Sequence, residues 1–325
     1  MSGGGSIPYH LRQNKAIERN LFVDLLSRVG RYVNISDYTY VGFGGPFLED
    51  FKHLHSTLRI GRMLSIEHSE NVFYRQVFNQ PISCVTLLHM GSSEFIYQHD
   101  FDTGTIVWFD YAIPSELSDQ LAETRRLVVK LKHGDIFKIT LNADPQTLGS
   151  PADGSPLLAH RLNEITDRLG EYLPAGIIEQ DVTRSRYPRL LLAALLNSAK
   201  HGLSGAGNLY LQPLTSFSYK DGQQMLTFTG IVLRTDQREE FLRQTRLSSW
   251  PFSNLACNEP LAISVPAFSV KERLFVESRL PAKTAGQIID EMGYAISDNA
   301  GDAETLMRNF VEFYRLYPWY SRVVL

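Results

Sequence analysis

The sequence predicts an α/β fold: a mostly parallel sheet covered by helices and closed by an antiparallel hairpin, with a small, mainly helical C-terminal region. Three observations predict it. Short apolar runs alternate with helical stripes from residue 38 to about residue 141. The first run stops at a glycine turn, Gly42-Phe-Gly-Gly-Pro46. Two β-rich runs, Asn208 to Tyr219 and Gln224 to Leu233, flank Lys220-Asp-Gly222, and an Asp-Gly between such runs signals a hairpin.

The elements follow in order. Ile17, Leu21 and Leu25 recur every four residues and Phe22, Leu26 and Val29 widen the stripe, so a helix opens the chain and Gly30 ends it. Tyr38 to Val41 is the first strand. Phe47, Phe51, Leu54 and Leu58 form the stripe of the helix after the turn, and strand, turn and helix make half of a βαβ unit. Arg62 to Ile66 is the second strand, ending at Glu67, and Ser69 is placed to cap a helix to Asn79. Ile82 to Leu88 and Gly104 to Phe109 are the third and fourth strands, the latter ending at Asp110. Ser115 starts a helix to about Lys132, and Asp135 to Leu141 is the fifth strand. Such short apolar strands belong to a sheet buried on both faces. A loop rich in Gly, Ser, Pro and Asp runs from about Leu148 to Asp153, with helices at Leu157 to Glu171 and Arg186 to His201. These elements set two regions, 1–236 and 237–325, the second carrying helices, a short strand and the aromatics Phe310, Phe313, Tyr314, Tyr317, Trp319 and Tyr320. At helical spacing those rings read as core rather than as a stacking platform.

Composition excludes several classes. With 325 residues, 43% hydrophobic and 21% charged, the chain is neither disordered, collagenous nor coiled-coil. Its longest aliphatic run, Leu190 to Leu196, is too short to span a bilayer, and no secretory signal precedes the first helix. A net charge of −3 does not indicate a nucleic-acid surface. Cys84 and Cys257 stand 173 positions apart, which fits neither a zinc site nor a CxxC pair and suits a reducing compartment. The chain therefore reads as soluble and cytoplasmic.

Gly42, Gly44 and Gly45 sit where a strand-to-helix turn lets a cofactor approach the backbone. Glu67 lies 22 residues beyond Gly45 at the next strand end, where a carboxylate suits ribose hydroxyls. The plainer alternative is a tight turn and a solvated acid. A nicotinamide fingerprint wants a small residue three positions after the second glycine, and this chain has Phe47 there. No G-x-S-x-G elbow or P-loop is present, and Gly202 to Gly207 follows a helix and precedes a strand, the reverse of a phosphate cradle.

Through Tyr40-Val-Gly-Phe-Gly-Gly-Pro46, Leu64-Ser-Ile-Glu67 and Val107-Trp-Phe-Asp110, the sequence resembles the class I S-adenosylmethionine-dependent methyltransferases, specifically a divergent bacterial O-methyltransferase-like group, over about residues 10 to 235. The resemblance implies a Rossmann-like sheet of seven strands with the last antiparallel, and S-adenosylmethionine at the strand C-terminal ends. It implies that Gly42, Gly44 and Gly45 border the methionine part, Glu67 holds the ribose, Gly91, Ser92 and Ser93 lie near adenine, and Asp110 closes the pocket. The turn departs from the family's usual first motif by opening Tyr-Val-Gly and ending in proline.

Asp110 and Tyr111 are the candidate catalytic residues. The segment Phe109-Asp-Tyr-Ala-Ile-Pro114 has the acid and aromatic of an amino-methyltransferase turn but not its proline pair, so an exocyclic-amine acceptor is the less supported one. The implied function is methyl transfer to an oxygen or nitrogen of an unidentified acceptor; the alternative is a non-catalytic protein of the same fold that binds the cofactor or a nucleotide. Asp110 with Asn142 and Asp144 admits an Mg²⁺ reading, against which Asn142 to Pro145 reads as turn chemistry. His53 and His55 point to different helix faces, and His68 and His89 read as strand-end histidines. Arg12, Lys15 and Arg19 form a stripe that reads as solvated charge opposite an apolar face or as a site for an acidic acceptor. The C-terminal region is the candidate surface for a protein partner or a second copy.

Overall fold

The computed structural model describes residues 11–320. α1 (Gln13–Val29) buries Ile17, Leu21, Phe22, Leu25, Leu26 and Val29 as its spacing demands. The charged stripe opposite is not wholly solvated, which corrects the sequence expectation. Arg19 is buried, with its guanidinium 3.0 Å from Glu18 and donating to the Tyr219 hydroxyl at 3.1 Å. A guanidinium leaves water only where such partners replace its hydration.

Five strands then alternate with helices: β1 (Thr39–Gly42), α2 (Glu49–Leu58), β2 (Arg62–Ile66), α3 (Glu70–Asn79), β3 (Val85–Leu88), α4 (Ser92–Gln98), β4 (Thr105–Asp110), α5 (Leu117–Lys130) and β5 (Ile136–Asn142). α6 (Leu157–Leu169) and α7 (Tyr187–Leu203) lead to the hairpin of β6 (Leu209–Lys220) and β7 (Gln224–Arg234). After it come α8 (Arg238–Thr245), β8 (Leu261–Ile263), α9 (Val270–Glu277), α10 (Ala285–Met292) and α11 (Ala300–Phe313).

The strands lie in the order β3-β2-β1-β4-β5-β7-β6-β8. β1 to β5 pair in parallel, and β7 runs antiparallel to β5 with Ile136 opposite Ile231. The seven expected strands are present, and β8 adds an eighth at the sheet edge. A mostly parallel sheet with an antiparallel terminal hairpin is the arrangement that the resemblance implied. The third strand is shorter than the apolar run suggested, starting at Val85 rather than Ile82.

Alternation along the strands decides what each face buries. Val41, Val107, Phe109, Phe137 and Ile139 join Leu121 and Leu127 of α5 and Leu191 and Leu195 of α7 in the main core. Trp108 and Lys138, paired in register, turn to the other face, where the fully buried Lys138 Nζ sits 3.5 Å from the Trp108 ring centroid. A cation over an indole face recovers part of its lost hydration.

The chain divides into two compact units. One comprises Val23–Ser218 and Gln223–Leu261; the other, among the described residues, comprises 11–22, Tyr219–Gly222 and 262–320. The sequence-drawn boundary at 236–237 falls in the 3-10 turn Thr235–Gln237 that enters α8. Within the second unit Phe310, Phe313, Tyr314 and Tyr317 are buried, and Phe310 meets Phe268 and Tyr317 edge-on at 5.0 and 5.4 Å. In the same unit the Asn14 amide donates to Asp221 and its oxygen accepts the Val265 N–H, both at 2.9 Å.

Candidate functional site

The sheet reverses direction of growth between β1 and β4, and an open α/β sheet leaves a crevice outside its strand C-terminal ends at such a point. Gly42 ends β1 and Asp110 ends β4, with Gly42 paired to Trp108, so the glycine turn and Asp110 leave the sheet side by side. Glu67 follows β2, His89 to Gly91 follow β3, and Asn142 ends β5. The fold therefore brings the glycine turn, Glu67, Gly91, Asp110 and Asn142 to one end of the sheet.

The three glycines have different reasons. A Cβ on Gly42 would lie 2.7 Å from the Tyr40 hydroxyl and 3.2 Å from the Trp108 carbonyl oxygen. One on Gly44 would collide with Leu48 and stand 2.5 Å from Ser65 Oγ. Internal packing accounts for both. Gly45 takes a φ of 50°, and the space a side chain would enter there is open. Leu48, fully buried, also adopts a left-handed φ of 54°, a strained conformation that starts α2. Behind the turn the buried Gln76 amide donates to the Gly45 carbonyl at 2.9 Å and accepts from Ser65 at 3.1 Å.

Glu67 is mostly buried, with 12% of its side chain exposed, and its Oε1 accepts the Ser69 N–H at 2.8 Å. Ser69 was expected to cap α3 with its own hydroxyl; instead the acid at the strand end secures that turn. His68 is exposed, and His89 stacks on Phe73 at 4.9 Å.

Ser92, Ser93 and Tyr111 meet at a residue that the sequence reading passed over, Glu123 of α5. Its carboxylate accepts from Ser92 at 2.6 Å, Ser93 at 2.5 Å and Tyr111 at 2.6 Å. Burial, with the adjacent Glu123 charge and hydrogen bond, pushes the Tyr111 phenol well above its usual range. The hydroxyl is thus a protonated anchor. The Tyr111 ring lies against Phe43 and Phe109, at 5.6 and 5.7 Å, and Phe43 stacks on Phe109 at 5.1 Å. The loop after Tyr111 is held by Gln120, whose amide donates to the Ile113 carbonyl at 2.6 Å. No local sequence signal marks Glu123; only its spacing of three from Gln120, on one helix face, hints at a shared task.

Asn142 and Asp144 are engaged in the turn after β5. Asn142 Oδ1 accepts the Asp144 N–H at 3.0 Å, and Asp144 Oδ1 accepts the Gln146 N–H at 3.1 Å. Among the described residues, no group of three His, Cys, Asp or Glu is arranged to hold a metal ion. None of the described helices is long and apolar enough to cross a membrane.

The family described as "Putative O-methyltransferase" matches residues 7–325. The chain belongs to this family. The methyltransferase thus uses S-adenosylmethionine as donor and acts on an acceptor that the family does not identify; the non-catalytic alternative is not favoured. No curated protein matches it. Among solved structures, the methyltransferase is similar to Trm1 from Pyrococcus horikoshii in complex with S-adenosyl-L-methionine, at 12% identity and a TM-score of 0.43, covering 90% of this chain and 76% of that one. It is similar to the N-methyltransferase NodS from Bradyrhizobium japonicum WM9 at 9% identity and a TM-score of 0.38, covering 67% and 97%. It is also similar to cofactor-bound Rv0187 from MTB, at 11% identity and a TM-score of 0.38, covering 67% and 80%.

Proposed function

We propose that the cofactor lies across the C-terminal ends of β1 to β4 and that the acceptor, an oxygen nucleophile, enters beside Asp110. The observation that carries this reading is the meeting of the glycine turn and Asp110 at the point where strand order reverses. The residues present fit the cofactor. Gly45 and Gly91 border open space on the chain's own side, and Glu67 has a second carboxylate oxygen to accept from ribose hydroxyls. Glu49 and Asp50 in the first turn of α2 disfavour a pyrophosphate but suit a cofactor carrying an ammonium and a sulfonium.

When bound, S-adenosylmethionine supplies an electrophilic methyl group on a positive sulfur. The protein's task is then to hold an acceptor oxygen in line with that methyl and to remove its proton. Asp110, half-buried at the β4 end, is the proposed acceptor of that proton. Tyr111 does not compete for it, because its own proton is held against Glu123. Its ring, with Phe43, forms an apolar wall that excludes water from the transfer path. Gly42 and Gly44 keep the turn close-packed beneath the proposed methionine part, and Gly91 to Ser93 border the proposed adenine position, with both serine hydroxyls directed to Glu123.

We further assign the protein to the cytoplasm, on its two free cysteines, and the chain beyond residue 236, where Val270, Leu274 and Tyr294 are exposed, to contacts with a protein partner or second copy. The decisive experiment is calorimetric titration with S-adenosylhomocysteine, with Glu67→Ala as control. Micromolar binding, about −8 kcal/mol, that is lost in the variant supports the pocket. Absence of binding to folded protein, or binding untouched by Glu67→Ala, defeats it.

A further inference from the structure

β3 and β4 are separated in the sheet by β2 and β1, so their outgoing loops start roughly 14 Å apart at the usual strand spacing. No sheet ladder joins those loops. Glu123 does, accepting Ser92 and Ser93 from the start of α4 and Tyr111 from the loop after β4 on one carboxylate. Arg126, one position short of a full helical turn onward, donates to Ser93 Oγ at 3.2 Å and closes the group. Tyr111 in turn presses its ring on Phe43 in the middle of the glycine turn.

We propose that Glu123 is a positioning residue of the cofactor site, clamping the β3 and β4 loops so that the glycine turn, Gly91 and Asp110 keep one spacing. This rests on the reading that the cofactor lies at the strand C-terminal ends. The carboxylate suits the task because it has only acceptor sites, enough for three hydroxyl donors at once. Each serine and the tyrosine has a single O–H, so each is fixed in direction once it points at Glu123. Charge-assisted bonds of this kind are short and hold their partners more firmly than neutral ones. Removing the carboxylate frees two loops at the same time. The effect then falls on ligand affinity through both loops and on stability through Tyr111, whose buried hydroxyl is left without its acceptor.

The test is calorimetric titration of the full chain with S-adenosylhomocysteine, beside thermal melts. The proteins are wild type, Glu123→Ala, Glu123→Gln, Ser92→Ala and the Glu123→Ala/Ser92→Ala double variant. Glu123→Ala is expected to weaken binding tenfold or more, about 1.4 kcal/mol, and to lower the melting temperature because the buried Tyr111 hydroxyl loses its acceptor. Glu123→Gln, whose single amide oxygen can still accept from Ser92 and Tyr111 but not also from Ser93, is expected to recover part of that loss. Ser92→Ala is expected to add nothing in the Glu123→Ala background, since the two act as one unit. Should Glu123→Ala not fold, Glu123→Gln and Tyr111→Phe carry the test, with Tyr111→Phe expected to weaken binding severalfold. Wild-type binding with Glu123→Ala within twofold of it, equal losses in Ala and Gln, or additive losses would each overturn the clamp alone. If wild type itself does not bind, the cofactor reading falls and the clamp with it.

Discussion

Ser65 on β2 donates its hydroxyl to Gln76 on α3 at 3.1 Å, and the same Gln76 side chain donates to the Gly45 carbonyl at 2.9 Å. Both Ser65 and Gln76 are fully buried. One amide thus supports the glycine turn from behind, joining the second strand, the third helix and the turn.

Gln76→Ala leaves the Ser65 hydroxyl without its acceptor and the Gly45 carbonyl without its donor. A buried polar group stripped of its partner costs about 1–3 kcal/mol. The expected outcome is a loss of that order in urea unfolding, with weaker S-adenosylhomocysteine binding because the turn is less constrained. Unchanged stability and affinity would show that the turn holds without Gln76.

Gly91 and Gly44 make a matched pair of probes. A Cβ on Gly91 meets nothing within 4 Å and its φ of −82° suits any residue, so Gly91→Ala is expected to leave melting unchanged. Gly44→Ala must displace buried Leu48 and Ser65, with an expected cost of about 1–3 kcal/mol for overpacking. If the cofactor approaches the β3 loop, Gly91→Ala weakens S-adenosylhomocysteine binding at full stability. Unaltered affinity would move the adenine position elsewhere.

Asp110→Asn tests the proton-acceptor role. The amide is close in size to the carboxylate but cannot take a proton from an acceptor hydroxyl. S-adenosylhomocysteine affinity is expected to change by less than about threefold, under 1 kcal/mol. Methyl transfer, once an acceptor is found by screening, is expected to fall about a hundredfold or more, in the range of general-base contributions. Retained turnover would assign the proton to another group.

Asp135 sits at the opposite end of the sheet and bears on stability alone. Its carboxylate accepts the Thr105 N–H at 2.8 Å and the Lys132 N–H at 2.7 Å, and burial raises its pKa to about 6 despite those bonds. A folded-state value above the unfolded one means that the folded protein binds the proton more tightly. The stability contributed is therefore full below about pH 4 and is lost as pH rises toward 6. The shift from 3.8 to about 6 corresponds to about 3 kcal/mol at most. Unfolding of wild type and Asp135→Asn at pH 4.5, 5.5 and 6.5 should show wild type losing stability relative to the variant across that window. Parallel curves would mean that Asp135 titrates normally.

The alternation of apolar runs and helical stripes, the Asp-Gly hairpin and the acids at strand ends were legible in the sequence, because periodicity and turn chemistry are properties of neighbouring residues. They determined the α/β class, placed β1 to β7 within a few residues, and put Gly42, Glu67 and Asp110 at strand ends. The tertiary structure alone decided which of those groups act on one another. Ser92 and Tyr111 meet Glu123 across 31 and 12 positions, and Gln76 reaches Gly45 across 31. Arg19, placed by its spacing on a charged face, is buried because Tyr219, 200 residues away, supplies a hydroxyl. Such bonds depend on how helices pack across a sheet, and no local pattern in the chain records which side chains that packing brings within 3 Å.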